Sequence, residues 1–555
     1  MNRRNFIVNS GLSLAGLLVG TASFTNAGET TLLVLPDEVW IDTGAGLLKL
    51  TTLNGLKFIY QETEVLLSRK NDCINVEVKS PVQALYAVQL KWKKQIPPQA
   101  NILNDHWERT YGDVSWQAPE NGKKMPWYFL QYDGKRSNCF GVKTGTNTIC
   151  HWQIHNGYLQ LSLDTRSGGM GVQLAGRTLN AATIITTQSL AGETPFSTGK
   201  RFCKMMCATP RLPKQPVYGI NDWYFAYGKS SAALILQHTA LLADLATDTN
   251  NRPFSVVDAG WAYYSPLLPN DCCWQDDFSR PNEKFKDMHK LAEDIIGYGM
   301  RPGLWTRPLC AAHDDSSNLL LPSIPGRDNP KNPVLDPTID ENIERVKKNI
   351  SIYKAWGYHM VKHDFSTYDI LGKWGFQMNE DITTPFWRFN KNTHTTAEII
   401  LNLYHSIREA AGSMYLIGCN TIGHLSAGIF ELNRIGDDTS GNEWERTRKM
   451  GVNTLAFRGI HHKHFYAADA DCVGLTTKVP WQKNKQWMQL LAESGTPLFI
   501  SAQPDALGEA QRVFIKQCYT LAAKELPVAE PMDWMNSLTP SKWKLNGRII
   551  NFDWT

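Results

Sequence analysis

The sequence Val361-Lys362-His363-Asp364-Phe365 joins an apolar, β-prone segment to two charged side chains near its end. Side chains two positions apart on a strand share a face, so we expect Lys362 and Asp364 to point towards the same place. An ammonium group beside a carboxylate keeps that carboxylate ionised and able to act as a nucleophile. The pattern predicts a barrel strand whose carboxyl end enters a polar cavity. A salt bridge at the end of a strand is the alternative interpretation.

The composition is that of an ordinary globular protein. The chain has 555 residues, 42% of them hydrophobic and 20% charged, which is enough for two or three domains. A net charge of +4 gives no indication of nucleic acid or an anionic membrane as a partner. Aromatic residues reach 11% and include 19 tryptophans, which suits stacking on sugar rings, although core packing is the commoner role of tryptophan.

Residues 1–27 have the three regions of a secretory signal. The pair Arg3 and Arg4 precedes an apolar run from Leu12 to Phe24 and a small-residue end at Ala27. The arginine pair resembles a bacterial twin-arginine signal, which directs folded proteins out of the cytoplasm. We therefore expect a periplasmic or extracellular protein, with no membrane span in its mature form.

Two changes of composition divide the rest of the chain. Short segments of alternating hydrophobicity over residues 28–208 predict an antiparallel β-sandwich. Prolines at 210, 213 and 216 mark a linker. Residues 511–555 predict a helix and a short β segment. The 11 cysteines are scattered, so no disulfide pattern can be derived from them.

Residues 209–510 have a repeating order of strand, loop and helix. This order predicts a (β/α)8 TIM barrel; a doubly wound sheet is the alternative, but no Gly-rich phosphate turn follows the first strand. The predicted helices are Lys284–Tyr298, Glu341–Trp356 and Thr396–Ala411. The predicted strands are Val217–Trp223, Ser255–Gly260, Arg301–Thr306, His359–Asp364, Met414–Asn420, Leu432–Asp437, Thr454–Gly459 and Pro497–Ser501.

Polar residues at the carboxyl ends of barrel strands share one face of the fold and form its site. Carboxylates and arginines bind vicinal hydroxyl groups, and tryptophans cover the apolar face of a sugar ring. We therefore expect a carbohydrate partner and neither a cofactor nor a metal. The candidate residues are Asp258, Trp261, Trp305, Lys362, Asp364, Cys419, Asn420, Arg434, Asp437, Asp438 and Asp471.

Glycoside hydrolysis requires one ionised carboxylate and a second carboxyl group that donates a proton. Asp364 provides the first, and the adjacent pair Asp437 and Asp438 provides the second. Mutual repulsion between two adjacent carboxylates is expected to raise the pKa of one of them. A polar loop with a helix N-cap at Asp438 or Thr439 is the alternative.

The order of these segments resembles the α-galactosidases of glycoside hydrolase families 27 and 36, the melibiase clan. The domain layout is closer to family 36. The matching motifs are Tyr218-Gly219-Ile220-Asn221-Asp222-Trp223, Val257-Asp258-Ala259-Gly260-Trp261, Lys362-His363-Asp364, Arg434 with Asp438, Ala468-Asp469-Ala470-Asp471, and Gly495-Thr496-Pro497-Leu498-Phe499-Ile500-Ser501.

This resemblance implies a retaining, exo-acting α-glycosidase that releases terminal α-linked galactose or a related sugar from oligo- or polysaccharides. Asp364 would form a glycosyl-enzyme, and Asp438 would protonate the leaving oxygen and then activate water. Lys362 and Arg434 would bind ring hydroxyls, and Asp258 the O4/O6 side of the sugar.

The same resemblance implies that Cys419 lines the pocket near O2, while Trp261 and Trp305 are the residues we expect to stack on the ring. Two departures from the family pattern stand out. Ala259 replaces the second Asp of the family's Asp-Asp-Gly-Trp. The replacement removes a charged hydrogen bond at the O4/O6 end of the sugar, which is worth about 1.5–3 kcal/mol. The segment Cys419-Asn420-Thr421 also lacks the Gly-rich run common in family 36.

Three other functions compete with hydrolysis of a glycoside. A carbohydrate-binding protein on a catalytically inactive barrel would keep the aromatic residues and lose one of the two catalytic carboxylates, whereas both carboxylates are present here. The segment His461-His462-Lys463-His464 suggests a metal-dependent hydrolase, but its spacing matches no usual zinc motif, which favours a solvated basic loop above the barrel. A transglycosidase would share all the catalytic residues. The oligomeric state does not follow from the sequence.

Overall fold

The computed structural model describes residues 32–70, 72–265, 273, 275–327 and 333–555. The secretory signal predicted over residues 1–27 lies outside this part of the chain. No helix among the described residues has the length and apolarity needed to cross a bilayer.

The first part of the chain folds into two antiparallel sheets that pack against each other. Their inner faces meet where Trp152 of one sheet contacts Phe129 and Phe140 of the other, with ring centroids 5.9 and 6.2 Å from its own. The strands alternate between buried and half-buried residues, as expected for a sheet with one solvated face. The spatial orders are β2-β1-β7-β13-β12-β9 and β3-β4-β5-β6-β14-β11-β10-β8.

The strands of these two sheets all lie within residues 28–208, where the alternating hydrophobicity predicts strands. They are β1 Glu38–Asp42, β2 Leu47–Lys49, β3 Thr51–Thr52, β4 Lys57–Tyr60, β5 Thr63–Lys70, β6 Cys73–Lys79, β7 Ala87–Trp92, β8 Asn101–Asn104, β9 Met125–Pro126, β10 Tyr128–Tyr132, β11 Ser137–Val142, β12 Ile149–His155, β13 Tyr158–Asp164 and β14 Thr178–Gln188.

A sheet of nine parallel strands follows, in the order β23-β22-β21-β20-β19-β16-β15-β25-β24. Its end strands, β23 and β24, are consecutive in the chain and are separated only by Ala470 and Asp471, which is consistent with a (β/α)8 barrel. A short antiparallel pair, β17 with β18, lies outside this sheet. The strands are β15 Tyr218–Asn221, β16 Phe254–Val257, β17 Ala262–Tyr263, β18 Asp277–Pro281, β19 Arg301–Thr306, β20 Met360–His363, β21 Tyr415–Gly418, β22 Leu432–Arg434, β23 Ala467–Asp469, β24 Cys472–Leu475 and β25 Leu498–Ala502.

Helices precede, connect and follow these parallel strands. The predicted helix Thr396–Ala411 has the predicted bounds, with Thr395 as its N-cap in a capping box with Glu398. The helices are α1 Pro195–Met206, α2 Trp223–Ala226, α3 Ala232–Ala243, α4 Met288–Gly297, α5 Asp340–Ala355, α6 Ser366–Leu371, α7 Thr396–Ala411, α8 Gly423–Ser426, α9 Trp444–Thr447, α10 Thr454–Arg458, α11 Trp481–Ser494 and α12 Glu509–Ala522.

The strand predicted over residues 454–459 is wrong. Thr454–Arg458 is α10, which continues a π-helical segment from Arg448 to Asn453, and the strand at this place in the sheet is Ala467–Asp469. The segment is buried along its whole length, and a short apolar run of this kind has no periodicity that separates strand from helix.

The chain ends in a small three-stranded antiparallel sheet. It comprises β26 Glu530–Pro531, β27 Lys542–Leu545 and β28 Arg548–Asn551, in the order β26-β27-β28. Trp543 and Trp554 from this part both donate their indole N–H to the carbonyl of Pro540 at 2.7 Å. Helix α12 precedes this sheet in the chain.

The histidine-rich segment is not the solvated loop that the sequence favours. His461 and His462 are buried, and His461 Nε2 lies 2.5 Å from the hydroxyl of Tyr128 in the first sheet region. The segment precedes β23, so it lies at the amino end of that strand. Among the described residues, no three His, Cys, Asp or Glu side chains are grouped so as to hold a metal ion.

Candidate active site

The proposed site residues follow the carboxyl ends of neighbouring parallel strands. Asp258 follows β16, Asp364 follows β20 and Asp438 follows β22. The strands from β16 to β22 in this sheet pair in parallel, so their carboxyl ends lie along the same edge. The structure therefore brings the predicted carboxylates to the same end of the fold.

Asp364 is half-buried, and three N–H groups fix its carboxylate. Oδ2 accepts from the indole Nε1 of Trp305 at 3.0 Å. Oδ1 accepts from the main-chain N–H groups of Phe365 at 2.8 Å and Asn420 at 3.0 Å. Phe365 has φ +67°, a left-handed conformation that is unfavourable for an aromatic residue.

Lys362 does not pair with Asp364, contrary to the expectation from their spacing. Its ammonium lies 2.7 Å from Oδ2 of Asp258, and the same oxygen accepts from Nδ2 of Asn221 at 2.6 Å. Both partners of this ion pair are buried. Lys362 therefore forms its ion pair with Asp258. Asp364 is hydrogen-bonded to neutral N–H donors instead.

Arg434 is fully buried and forms ion pairs with the carboxylates that follow β22 and β23. Its Nη2 lies 3.2 Å from Oδ1 of Asp438 and 2.9 Å from Oδ2 of Asp471, and its Nε lies 3.8 Å from Asp469. Burial raises the pKa of Asp469 to about 6. Asp471 also accepts from the hydroxyl of Tyr224. Asp471 thus positions Arg434, and its carboxylate is occupied by protein donors.

Asp437 and Asp438 share Arg109 as a cation, and each has one further guanidinium of its own, Arg446 for Asp437 and Arg434 for Asp438. The expected rise in the pKa of Asp438 is not found. Asp437 pairs with Arg109 at 2.9 Å and with Arg446 at 2.7 Å. Burial favours the neutral form of Asp438, but Arg434, Arg109 and nearby Lys362 outweigh burial and lower its pKa to about 2. The side chain of Asp438 remains 36% exposed, which leaves it open to a ligand. Neither Asp438 nor its neighbour caps a helix, since α9 begins at Trp444.

Cys419 and Asn420 lie between the two carboxylates. The thiol of Cys419 is buried, 3.4 Å from Nη1 of Arg109 and 3.7 Å from Nη1 of Arg434. The side chain of Asn420 is occupied: Oδ1 accepts from the N–H of Tyr368 at 3.0 Å, and Nδ2 donates to Glu108. Asn420 therefore acts on the site through its main-chain N–H, which binds Asp364.

The two tryptophans do not present open faces for stacking. Trp261 is fully buried, with the rings of Phe278, Tyr353 and Trp356 packed edge-on around it, and its indole N–H donates to the Trp305 carbonyl at 2.8 Å. Trp305 is 1% exposed and directs its N–H at Asp364. Trp261 does not stack on a sugar, because its ring packs into the hydrophobic core against Tyr353 and Trp356. Trp305 orients the carboxylate of Asp364 instead.

Two site residues come from the loop after β8, in the β-sheet region, and were missed in the sequence. Arg109 reaches Asp437 and Asp438, and Glu108 binds Asn420 and Tyr111. The loop is anchored because Thr110 pairs with the chain around Gly436. Arg109 and Cys419 are 310 positions apart in the sequence, and the loop has no hydrophobic period, so nothing local indicates this contact.

Known proteins support this fold through structure and not through sequence. No family model and no curated protein matches the chain. The α-galactosidase from Thermus thermophilus in complex with p-nitrophenyl α-D-galactopyranoside is 16% identical and has a TM-score of 0.59 over 88% of this chain and 96% of that chain.

Two further solved structures agree. The family 36 α-galactosidase AgaA from Geobacillus stearothermophilus is 13% identical, with a TM-score of 0.56 over 87% of this chain and 75% of its own. The galactosidase domain of the α-galactosidase-sucrose kinase AgaSK is 14% identical, with a TM-score of 0.55 over 88% and 69%. The chain has an α-galactosidase-like fold of the family 36 type. The family 36 resemblance inferred from the motifs is thus confirmed for the fold.

Proposed function

We propose that this protein is a retaining, exo-acting α-glycosidase that releases terminal α-linked galactose or a related sugar from oligo- or polysaccharides. The observation that carries the proposal is the contrast between two carboxylates at one end of the parallel sheet. Asp364 is fixed by three N–H donors, while Asp438 is partly exposed and surrounded by guanidinium groups. The family 36 fold, whose members include galactosidases, supports this reaction class.

In the first step, an oxygen of Asp364 attacks the anomeric carbon as the bond to the leaving oxygen breaks, and Asp438 gives its proton to that oxygen. In the second step, Asp438 takes a proton from water, the water oxygen attacks the anomeric carbon, and Asp364 is released. Asp438 is ionised at neutral pH in the free protein, which suits the second step. A sugar that displaces water from Asp438 strengthens the effect of burial and favours the proton needed in the first.

The remaining features of the proposal follow from the fold and the sequence. The parallel sheet closes as a (β/α)8 barrel through the junction of β23 and β24, behind an N-terminal β-sandwich domain of residues 28–208. Lys362, Asp258 and Arg434 bind ring hydroxyls at the buried end of the site, and Cys419 lies beside them. Export through the signal at residues 1–27 places the enzyme in the periplasm or outside the cell.

The substitution Asp364→Asn tests the nucleophile. It keeps the size of the side chain and its place among the three N–H donors, and it removes the nucleophilic oxygen anion. We expect loss of essentially all turnover of an aryl α-galactoside, or of the aryl α-glycoside that the wild type prefers in a panel that includes galactose, N-acetylgalactosamine and arabinopyranose. Wild-type rates in this variant would refute the assignment.

The substitution Asp438→Ala tests the acid. Aryl leaving groups of low pKa depart without a proton, whereas sugar leaving groups require one. We expect a much larger loss with sugar leaving groups than with nitrophenol. Asp437→Asn is the matched control, because Asp437 is bound by Arg109 and Arg446. If the two leaving groups suffer equally in Asp438→Ala, another residue is the acid.

A further inference from the structure

A row of aromatic rings leads from Asp364 to the protein surface. Phe365, the residue after Asp364, has its ring centroid 5.6 Å from that of Trp374. Trp374 lies 6.4 Å from Tyr111, and Tyr111 lies 5.1 Å from Phe376. Phe376 is 56% exposed, so its ring forms the outer end of the row at the protein surface.

Arg109 connects this aromatic row to the proposed acid. Its guanidinium carbon lies 5.4 Å from the centroid of Tyr111 and 5.8 Å from that of Trp374. Its Nη1 lies 3.6 Å from Oδ1 of Asp438. An acid stands beside the oxygen that it protonates, so the aromatic row lies on the leaving-group side of the proposed site.

An open cavity continues from this row. It has a volume of about 330 Å³ and lies between the loop after β8 and the segment around Phe376. That volume falls within the range of about 300–1,000 Å³ that small-molecule sites occupy. Its walls mix aromatic and hydrogen-bonding side chains, among them Arg109, Tyr111, Gln117, Lys123, Phe376 and Asn379.

We propose that Tyr111, Trp374 and Phe376, with the adjoining cavity, bind the first sugars of the leaving group. This inference rests on the proposed function and adds to it the residues that bind the leaving group. Pyranose rings present flat C–H faces that aromatic rings cover, and their hydroxyl groups find donors and acceptors in Gln117, Lys123 and Asn379. The loop after β8 and the segment after α6 therefore select the aglycone, while the residues at the strand ends hold the terminal sugar.

The substitution Phe376→Ala tests the inference, with Phe386→Ala as its matched control. Both phenylalanines are exposed, but Phe386, at 89% exposure, does not line the cavity. We compare kcat/KM for stachyose with kcat/KM for α-galactosyl fluoride, whose leaving group does not reach the aromatic row. Phe376→Ala should lower kcat/KM for stachyose about tenfold, the loss expected for uncovering one ring face, and leave the fluoride unchanged. Phe386→Ala should alter neither.

Equal effects on both substrates, or no effect of Phe376→Ala on stachyose, would overturn the inference while leaving the hydrolase intact. If the wild type does not hydrolyse α-galactosyl fluoride, the galactosidase proposal fails instead. Titration of Asp364→Asn with stachyose and with galactose then decides the binding role separately. If adding Phe376→Ala to Asp364→Asn weakens the binding of stachyose but not of galactose, the binding role is supported. If Asp364→Asn does not bind stachyose, the binding role is contradicted.

Discussion

Nη1 of Arg109 lies 3.6 Å from Oδ1 of Asp438, although Arg109 belongs to the N-terminal β-sheet region and Asp438 to the parallel sheet. Together with Arg434, this guanidinium keeps the pKa of Asp438 near 2 against the effect of burial. The contact means that the proposed proton donor is tuned from outside the barrel. A barrel expressed without its N-terminal region would lack this cation.

The substitution Arg109→Gln should therefore raise the pKa of Asp438. With more of the acid protonated at a given pH, the basic limb of the kcat/KM profile should move to higher pH, by up to about one unit. The measurement is the pH dependence for a substrate with a sugar leaving group. Arg109→Lys should keep most of the wild-type profile.

Arg446→Gln is the control for this experiment. Arg446 pairs with the carboxylate of Asp437 at 2.7 Å but meets Asp438 only at its main-chain carbonyl, also at 2.7 Å. Its loss should shift the profile less than the loss of Arg109. A shift of the same size in both variants would place the effect on Asp437.

The buried ion pair of Lys362 with Asp258 makes a prediction about stability. Removing one partner leaves an unpaired buried charge, so Asp258→Asn should lower the free energy of unfolding by about 3 kcal/mol. Adding Lys362→Met removes the stranded charge and should recover part of that loss. Urea unfolding of the wild type, both single variants and the double variant measures the coupling, and strictly additive losses would show that the two groups do not interact.

The parts of the fold that the sequence predicts are those with a local signal. The alternating segment Ala87–Trp92 and the predicted helix Thr396–Ala411 correspond to observed elements, because hydrophobic period is a local property of the sequence. The partner of Lys362 was predicted wrongly, since spacing on one strand cannot show that Asp258, from another strand, lies closer.

The tryptophans illustrate a second limit. Sequence position at a strand end predicts nearness to the site for both Trp261 and Trp305. Only the surroundings of each ring, set by residues of later elements such as Tyr353, decide which one turns into the core. The loop that carries Arg109 has neither period nor motif, so its place over Asp438 depends entirely on how the two regions dock.

Glu108 makes the stability of the protein depend on pH. Burial raises its pKa to about 7, above the value of about 4.5 expected in the unfolded chain. The folded state therefore holds a proton between these values that the unfolded state has lost, so the free energy of unfolding falls as pH rises from about 4.5 to about 7. Glu108→Gln removes this contribution, and its stability relative to the wild type should improve with pH across this window.

Urea unfolding at intervals between pH 4.5 and 7.5 gives the measurement for Glu108. Asp105, another buried carboxyl of the same loop with its pKa raised to about 6, stays present in both proteins, so the difference between them isolates Glu108. A difference between wild type and Glu108→Gln that stays constant with pH would contradict the prediction.

Trp305 and Trp261 allow orientation of the nucleophile to be separated from packing. Trp305→Phe keeps an aromatic ring and removes the N–H that binds Oδ2 of Asp364, so kcat should fall about tenfold through a less ordered carboxylate. Trp261→Phe removes an N–H that binds only the Trp305 carbonyl and opens a gap in the aromatic core. It should lower the free energy of unfolding by about 1–3 kcal/mol with kcat within about twofold of wild type. Steady-state kinetics and urea unfolding of both variants give the measurement. If Trp305 acts on Asp364, Trp305→Phe loses mainly kcat and Trp261→Phe loses mainly stability. If the two tryptophans serve only the core, both variants lose kcat and stability to similar extents.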